Sequence, residues 1–166
     1  MWALAARLKD GSIAVRRGAA CALGKMGPKA GEAVPALIET LQDIDRDIRV
    51  AAASSLGDIG PAASTAVPHL GRAVKDAEAA VRRSAASALG GIGPAAKAAV
   101  PDLIEALKDK DEYTRSSAAE ALGRIGPVAS TAIPGLIAAL QDESVWVRRS
   151  AAYALAEIGL AQAQVP

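Results

Sequence analysis

The sequence predicts an all-α protein, a solenoid of about five antiparallel helix pairs that repeat every 33 residues. Three observations predict it. Proline recurs at this interval, aspartate, arginine and leucine recur at the same interval, and apolar residues within a unit lie three or four positions apart. Self-similarity at a period of roughly 20 to 50 residues is typical of solenoids, in which each unit buries its apolar face only against its neighbours.

The period divides the chain into one domain of five units. No insertion interrupts the spacing of Pro35, Pro68, Pro101 and Pro134. We therefore expect a single repeat domain over residues 1–166, with repeats at approximately 1–32, 33–65, 66–98, 99–131 and 132–166.

The first helix of each unit is predicted from its proline. Gly60 and Pro61 should end one helix and permit a new start, since glycine suits the position after a helix and proline suits a first turn. Pro68 lies seven residues further on and should begin the helix, because proline has no N–H to donate. In the second unit, Val34 and Leu37 are three apart, which places them on one helical face.

The second helix of each unit follows a short polar turn. In the second unit it is predicted to run from near Asp47 to Gly60. Its apolar positions Ile48, Ala52 and Leu56 are four apart and form one face. We expect both helices to be about two to three turns long.

Composition limits the function classes. The net charge is +1, from 19 basic and 18 acidic side chains, which argues against a nucleic-acid partner held by overall charge. One cysteine, Cys21, excludes an intrachain disulfide and suits a cytoplasmic location. No apolar run is expected to span a membrane. The single histidine disfavours histidine-based metal or nucleophile sites, and no cofactor is expected.

Aspartate and arginine form two regular columns, six residues apart within each unit. Five acids and five bases at one spacing could suggest catalysis, but an active site is not usually needed five times. We expect a structural ladder in which Asp caps the second helix and Arg bonds to turn carbonyls and to the Asp of a neighbouring unit. The ladder comprises Asp10, Asp43, Asp76, Asp109, Asp142, Arg16, Arg49, Arg82, Arg115 and Arg148.

The pattern AVPDLIEALKDKDEYTRSSAAEALGRIGP, which begins at Ala99, resembles the HEAT repeat, specifically the phycobilisome-lyase HEAT-like subtype of bacteria and archaea. The resemblance covers all five units. It implies a right-handed superhelix whose first helices line the convex side and whose second helices line the concave side. It also implies a scaffold or adaptor that binds a protein partner, or, in a minority of members, assistance in attaching bilins to phycobiliproteins.

Some equivalent positions differ from one repeat to the next, and these positions indicate where a binding function would lie. On the second helices, positions 14, 17, 21 and 25 and their copies form what we call the variable stripe, which carries three of the four aromatic residues of the chain. We expect partner binding at Trp146, Arg149, Tyr153, Glu157, Tyr113, Ser116, Glu120, Arg124 and Arg83. The alternative is that Trp146 and Tyr153 only cover the end of the solenoid.

Two functions therefore remain open from the sequence. The first is a non-enzymatic protein-interaction scaffold that binds its partner on the concave face. The second is a bilin lyase subunit or a chaperone-like component for a phycobiliprotein. Self-association through the open ends of the solenoid is a further expectation about partners.

Overall fold

The structure, a computed structural model, describes residues 2–162, and these contain α-helices, 3-10 helices and turns without a β-strand. The prediction of an all-α solenoid built from helix pairs is confirmed. The α-helices are α1 (Trp2–Arg7), α2 (Ile13–Lys25), α3 (Val34–Thr40), α4 (Arg46–Ile59), α5 (Val67–Ala73), α6 (Ala79–Ile92), α7 (Val100–Ala106), α8 (Glu112–Ile125), α9 (Ile133–Ala139) and α10 (Val145–Gln162).

A 3-10 helix joins each of the first four units to the next. These segments are Gly27–Ala33, Gly60–Ala66, Gly93–Ala99 and Gly126–Ala132. Each begins at a glycine with positive φ, for example 70° at Gly60, a conformation that other residues adopt only with strain. A proline follows at once, where its missing N–H costs nothing. The sequence predicted that one helix ends at Gly60 and that the next begins near Pro68, but not the 3-10 conformation of the residues between them.

The two helices of a unit differ in length. The first helix α5 has 7 residues and the second helix α6 has 14, which correspond to about two and about four turns at 3.6 residues per turn. The expectation of two to three turns is therefore wrong for the second helices. They are longer because they pack both on their own first helix and on the second helices of adjacent units.

The core is a row of leucine and isoleucine side chains from both helix layers. Leu56, Leu89 and Leu122 of the second helices are fully buried, as are Leu70 and Leu103 of the first helices. Each buried side chain of this size contributes about 1.5 to 3 kcal/mol by leaving water. Every interior unit repeats this layer, so the core is continuous along the stack.

The second helices approach one another very closely. A Cβ added to Gly57 would lie 2.8 Å from the Cα of Ala88, and one added to Gly123 would lie 2.9 Å from the Cα of Ala154. Only a residue without a side chain permits this backbone contact. Consecutive second helices accordingly contact each other far more extensively than consecutive first helices do.

One stretch, Glu112–Ala139, is long and apolar enough to cross a membrane by length and composition alone. In the structure, this stretch consists of α8, a 3-10 helix and α9. Gly126, with φ of 76°, interrupts the α-helical backbone between them. Its apolar residues Leu122, Ile125 and Leu136 belong to the core shared with adjacent units.

Candidate functional site

The ladder arginines bridge consecutive units. Arg82 donates from Nε and Nη2 to the carboxylate of Asp109 in the next unit, at 2.7 and 2.8 Å. Its Nη1 donates to the carbonyl oxygens of Asp76 and Ala77 in its own turn, both at 3.0 Å. The two charged side chains of this pair are only 7% and 13% exposed. One arginine therefore ties its own turn to the turn that follows.

The same arrangement recurs at the other interior junctions. The fork of two N–H groups on one carboxylate joins Arg16 to Asp43, Arg49 to Asp76, and Arg115 to Asp142. Such bidentate charge-assisted pairs fix geometry as well as adding energy.

At the two ends of the described residues the contacts differ. Arg148 donates only to the carbonyl oxygens of Asp142 and Glu143, and Asp10 accepts from Arg7 of its own unit at 3.4 Å.

The expectation that the ladder aspartates cap the second helices is wrong. Asp43 instead accepts from the backbone N–H of Asp45, two residues on, and so closes the turn. The cap of α4 is Asp45 itself, whose carboxylate accepts from the N–H groups of Asp47 and Ile48. The ladder carboxylate precedes the helix by too many residues to reach its first free N–H groups, and the arginine of the preceding unit already occupies it.

Ionic pairing lowers the pKa of four ladder carboxyls, those of Asp43, Asp76, Asp109 and Asp142. Burial raises the pKa of Asp109, but the hydrogen bonds from Arg82 and from the backbone N–H of Asp111 outweigh it, so the net pKa lies below its usual value. The pKa values of Asp43 and Asp76 are lowered by the same balance. The lowered pKa values are those expected for carboxylates in ion pairs that hold the stack together.

The variable stripe exposes its aromatic side chains. Tyr113, Trp146 and Tyr153 are 51%, 51% and 53% exposed. None of them fills the core, which is aliphatic. About half of each ring is therefore available to a partner, on α8 and α10.

Arginines lie beside two of these rings. The Cζ atom of Arg83 is 5.8 Å from the ring centroid of Tyr113, and that of Arg149 is 5.2 Å from the centroid of Trp146. A guanidinium within about 6 Å of an aromatic face is attracted by the ring quadrupole. The first contact joins α6 to α8, whereas the second lies within α10.

The remaining predicted residues of the stripe are distributed around these contacts. Arg124 donates to Glu120 one turn away, at 2.6 Å. Ser116 shares a hydrogen bond of 3.0 Å with Ser150 of the next helix. Glu157 is exposed further along α10. The structure thus places the predicted set on one layer of helices, with the aromatic rings and their arginines at its C-terminal part.

A cleft that the sequence did not predict opens between α4, α6 and α8. It encloses about 360 Å³. We call it the serine cleft, and its lining residues include Ser54, Ser84, Ser87, Ser117, Asp58, Arg83 and Arg124. Ser84 and Ser117 lie outside the variable stripe. Their place in the lining depends on how each helix is rotated in the stack, which the sequence does not reveal.

These features define the class of the protein. It is a helical-repeat solenoid in which a ladder of Asp–Arg ion pairs joins consecutive units and the variable stripe is exposed on the second helices. The family model for HEAT repeats matches residues 2–90 and 67–156, and the chain therefore belongs to the HEAT-repeat family. No curated protein matches the chain.

Solved structures share the fold. The complex of CpcE and CpcF of phycocyanin lyase from Nostoc sp. PCC7120 matches with a TM-score of 0.82 and 29% identity, over 95% of this chain and 64% of that chain. The chain thus spans less than two thirds of that neighbour. This likeness supports the phycobilisome-lyase HEAT-like subtype expected from the sequence.

Two artificial proteins are also similar in fold. An engineered protein matches with a TM-score of 0.78 and 24% identity, over 94% of this chain and 78% of that chain. A designed armadillo repeat protein, solved in complex with the peptide (KR)4, matches with a TM-score of 0.76 and 18% identity, over 93% of this chain and 80% of that chain.

Proposed function

We propose that this protein is a non-enzymatic interaction scaffold that binds a protein partner on the face formed by its second helices. The observation that carries the proposal is the exposure of Tyr113, Trp146 and Tyr153 on that face, beside Arg83 and Arg149. Tryptophan, tyrosine and arginine supply most of the energy at protein interfaces. In a chain whose core contains no aromatic residue, these rings are better explained by binding than by packing.

The shape of the stack supports the same face. The second helices are in backbone contact through glycine and alanine, whereas the first helices touch one another less. A stack of units curves toward the layer in which they are closest together. The face with the aromatic rings therefore lies on the inner side of the curve, where a partner can contact several units at once.

Substitution of two rings tests the proposal. Trp146→Ala and Tyr153→Ala together should abolish capture of the partner by affinity purification. The free energy of unfolding should fall by no more than about 1 to 2 kcal/mol, because half of each ring is already in water. Trp2→Ala is the matched control, since Trp2 is 74% exposed in α1, outside the stripe.

The outcomes separate binding from packing. Retained capture by the Trp146/Tyr153 double variant would contradict the proposal. A large loss of stability would instead favour the account in which these rings cover the end of the solenoid. Loss of capture in the Trp2 variant as well would show that the effect is not specific to the variable stripe.

A second candidate function is that of a bilin lyase subunit or a phycobiliprotein chaperone. The likeness to the CpcE and CpcF complex of phycocyanin lyase, at 29% identity, favours it. The test is to mix the chain with free bilin and record the absorbance spectrum. A shift or a covalent adduct would support this function, and an unchanged spectrum would favour the scaffold.

The remaining expectations about partners and location stay predictions. We propose that the protein acts in the cytoplasm, where its exposed Cys21 would remain reduced. Self-association through the first and last repeats is predicted as an additional contact. Nucleic acid is not expected as a partner, since acidic and basic residues alternate on the variable stripe.

A further inference from the structure

Four serine residues line the serine cleft. Ser54, Ser84, Ser87 and Ser117 come from three different helices, and within residues 2–162 no other protein group takes up a hydrogen bond with their hydroxyls. The neighbouring Ser55 behaves differently, because its hydroxyl bonds to backbone carbonyls within the stack, at 2.7 Å. The cleft therefore offers four hydroxyls to a ligand.

Two arginines line the same cleft. Arg83 has its guanidinium over the ring of Tyr113, without a carboxylate within ion-pair distance among the described residues. Arg124 uses Nη2 to bond Glu120. A guanidinium has five N–H donors in a fixed fork, so both retain donors for a ligand. Oxyanions, carboxylate or phosphate, are the groups that such a fork recognises best.

The one acid in the cleft lies on the opposite side from these arginines. Asp58 belongs to α4, and its Oδ2 is 3.1 Å from the place where a Cβ of Gly24 would be, which directs the carboxylate toward α2. Arg83 and Arg124 belong to α6 and α8. The charge therefore changes sign across the cleft, and an anion would be bound at the α6 and α8 side.

The floor of the cleft is closed and its size is small. A Cβ on Gly91 would lie 2.6 Å from the carbonyl oxygen of Gly57, so the backbones of α6 and α4 are in contact there. The volume of about 360 Å³ is near the lower end of the roughly 300 to 1,000 Å³ typical of ligand pockets. It accommodates one side chain with its adjacent backbone.

We propose that the serine cleft binds an anionic side chain, a carboxylate or a phosphate, of the polypeptide that the variable stripe binds. The inference rests on the proposed function, because Arg83 joins the cleft to the ring of Tyr113. A segment that covers Tyr113 passes directly over the cleft. Its anionic group is held by the two arginines, and its backbone amides lie toward the serine hydroxyls and Asp58.

Small probes test the cleft without the natural partner. The ¹⁵N-labelled chain is titrated with N-acetyl-O-phosphoserine N-methylamide, with N-acetylglutamate N-methylamide and with the neutral N-acetylglutamine N-methylamide. The two anionic probes should shift the amide resonances of Ser84 and Ser87, and the neutral probe should not. The anionic probe that binds with the lower dissociation constant identifies the preferred group, phosphate or carboxylate.

Variants locate the binding. Arg83→Gln and Arg124→Gln should each weaken binding of the anionic probes by about tenfold, as expected for loss of a charge-assisted hydrogen bond. Asp58→Asn should strengthen it by about threefold, since a nearby like charge is removed. Arg17→Gln is the matched control and should leave binding unchanged. Arg17 lines the neighbouring cleft, which shares Ser54 and Asp58 with the serine cleft but not its two arginines.

The inference is overturned if the neutral probe shifts the same resonances equally, if Arg17→Gln weakens binding as much as Arg83→Gln, or if no anionic probe shifts Ser84 and Ser87. The Trp146/Tyr153 double variant separates this result from that of the proposed function. It should lose the partner yet bind the probes normally. If the unsubstituted chain captures the partner but binds no anionic probe, the proposal for the serine cleft is refuted and the proposed scaffold function is not.

Discussion

Loss of one ladder arginine should destabilise the whole stack. Arg82 makes four hydrogen bonds of 2.7 to 3.0 Å, two of them to the carboxylate of Asp109. Arg82→Ala leaves that largely buried carboxylate with the backbone N–H of Asp111 as its remaining bond. Breaking a buried ion pair in this way costs about 3 to 5 kcal/mol. We expect about 3 kcal/mol, since Asp109 is partly exposed.

The assay is urea unfolding followed by circular dichroism at constant protein concentration. A loss of 3 kcal/mol is a large part of the roughly 5 to 15 kcal/mol by which domains are stable, and it corresponds to a melting temperature lower by about 6 to 12 °C. Arg46→Ala is the control, since its pair with Glu78 is 3.6 Å long and 64% and 46% exposed. That variant should lose at most about 1 kcal/mol.

Two results would refute the reasoning. If Arg82→Ala costs no more than Arg46→Ala, the ladder does not hold the units together. If Arg82→Met combined with Asp109→Leu is less stable than Arg82→Ala, the cost does not come from an unpaired buried charge. Replacing a buried pair by apolar residues of similar size is often neutral or stabilising, so recovery of stability is expected.

Two further predictions concern pH and the glycines. The pKa values of Asp43, Asp76, Asp109 and Asp142 are lowered in the folded state. The stability that these carboxylates contribute is therefore present above about pH 4, the unfolded pKa, and is lost as pH falls through the folded pKa values. The urea midpoint should therefore fall between pH 6 and pH 3, and by less in Asp109→Asn; a flat profile would contradict this. Gly18→Ala in α2, where a Cβ meets nothing within 4 Å, should gain about 0.5 to 1 kcal/mol. Gly91→Ala should lose about 1 to 3 kcal/mol, because its Cβ would overlap the carbonyl of Gly57; equal effects of these two variants in urea unfolding would show that helix contact does not matter.

Much of the fold could be predicted from the sequence, but less of the candidate site. Because the repeat keeps a constant length of 33 residues, equivalent positions of all five units can be compared directly. The helix pairs and the residues of the ladder could be identified in this way. The adjacent residues Ser54 and Ser55 show what the sequence could not predict. Ser54 faces the cleft while Ser55 is buried between helices, and both are small residues in one helix. The rotation of α4 against its neighbours decides which side each faces.

The sequence by itself determined the period, the pair of helices in each unit with Gly-Pro at its end, and the face on which Tyr113, Trp146 and Tyr153 lie. These follow from local rules, since glycine and proline act on their own backbone and apolar spacing marks a helix face. Only the tertiary structure decided that Asp43 closes its turn and binds Arg16 rather than capping a helix. It also decided that three helices enclose a cleft, because the distance and rotation between stacked units depend on packing that no single unit contains.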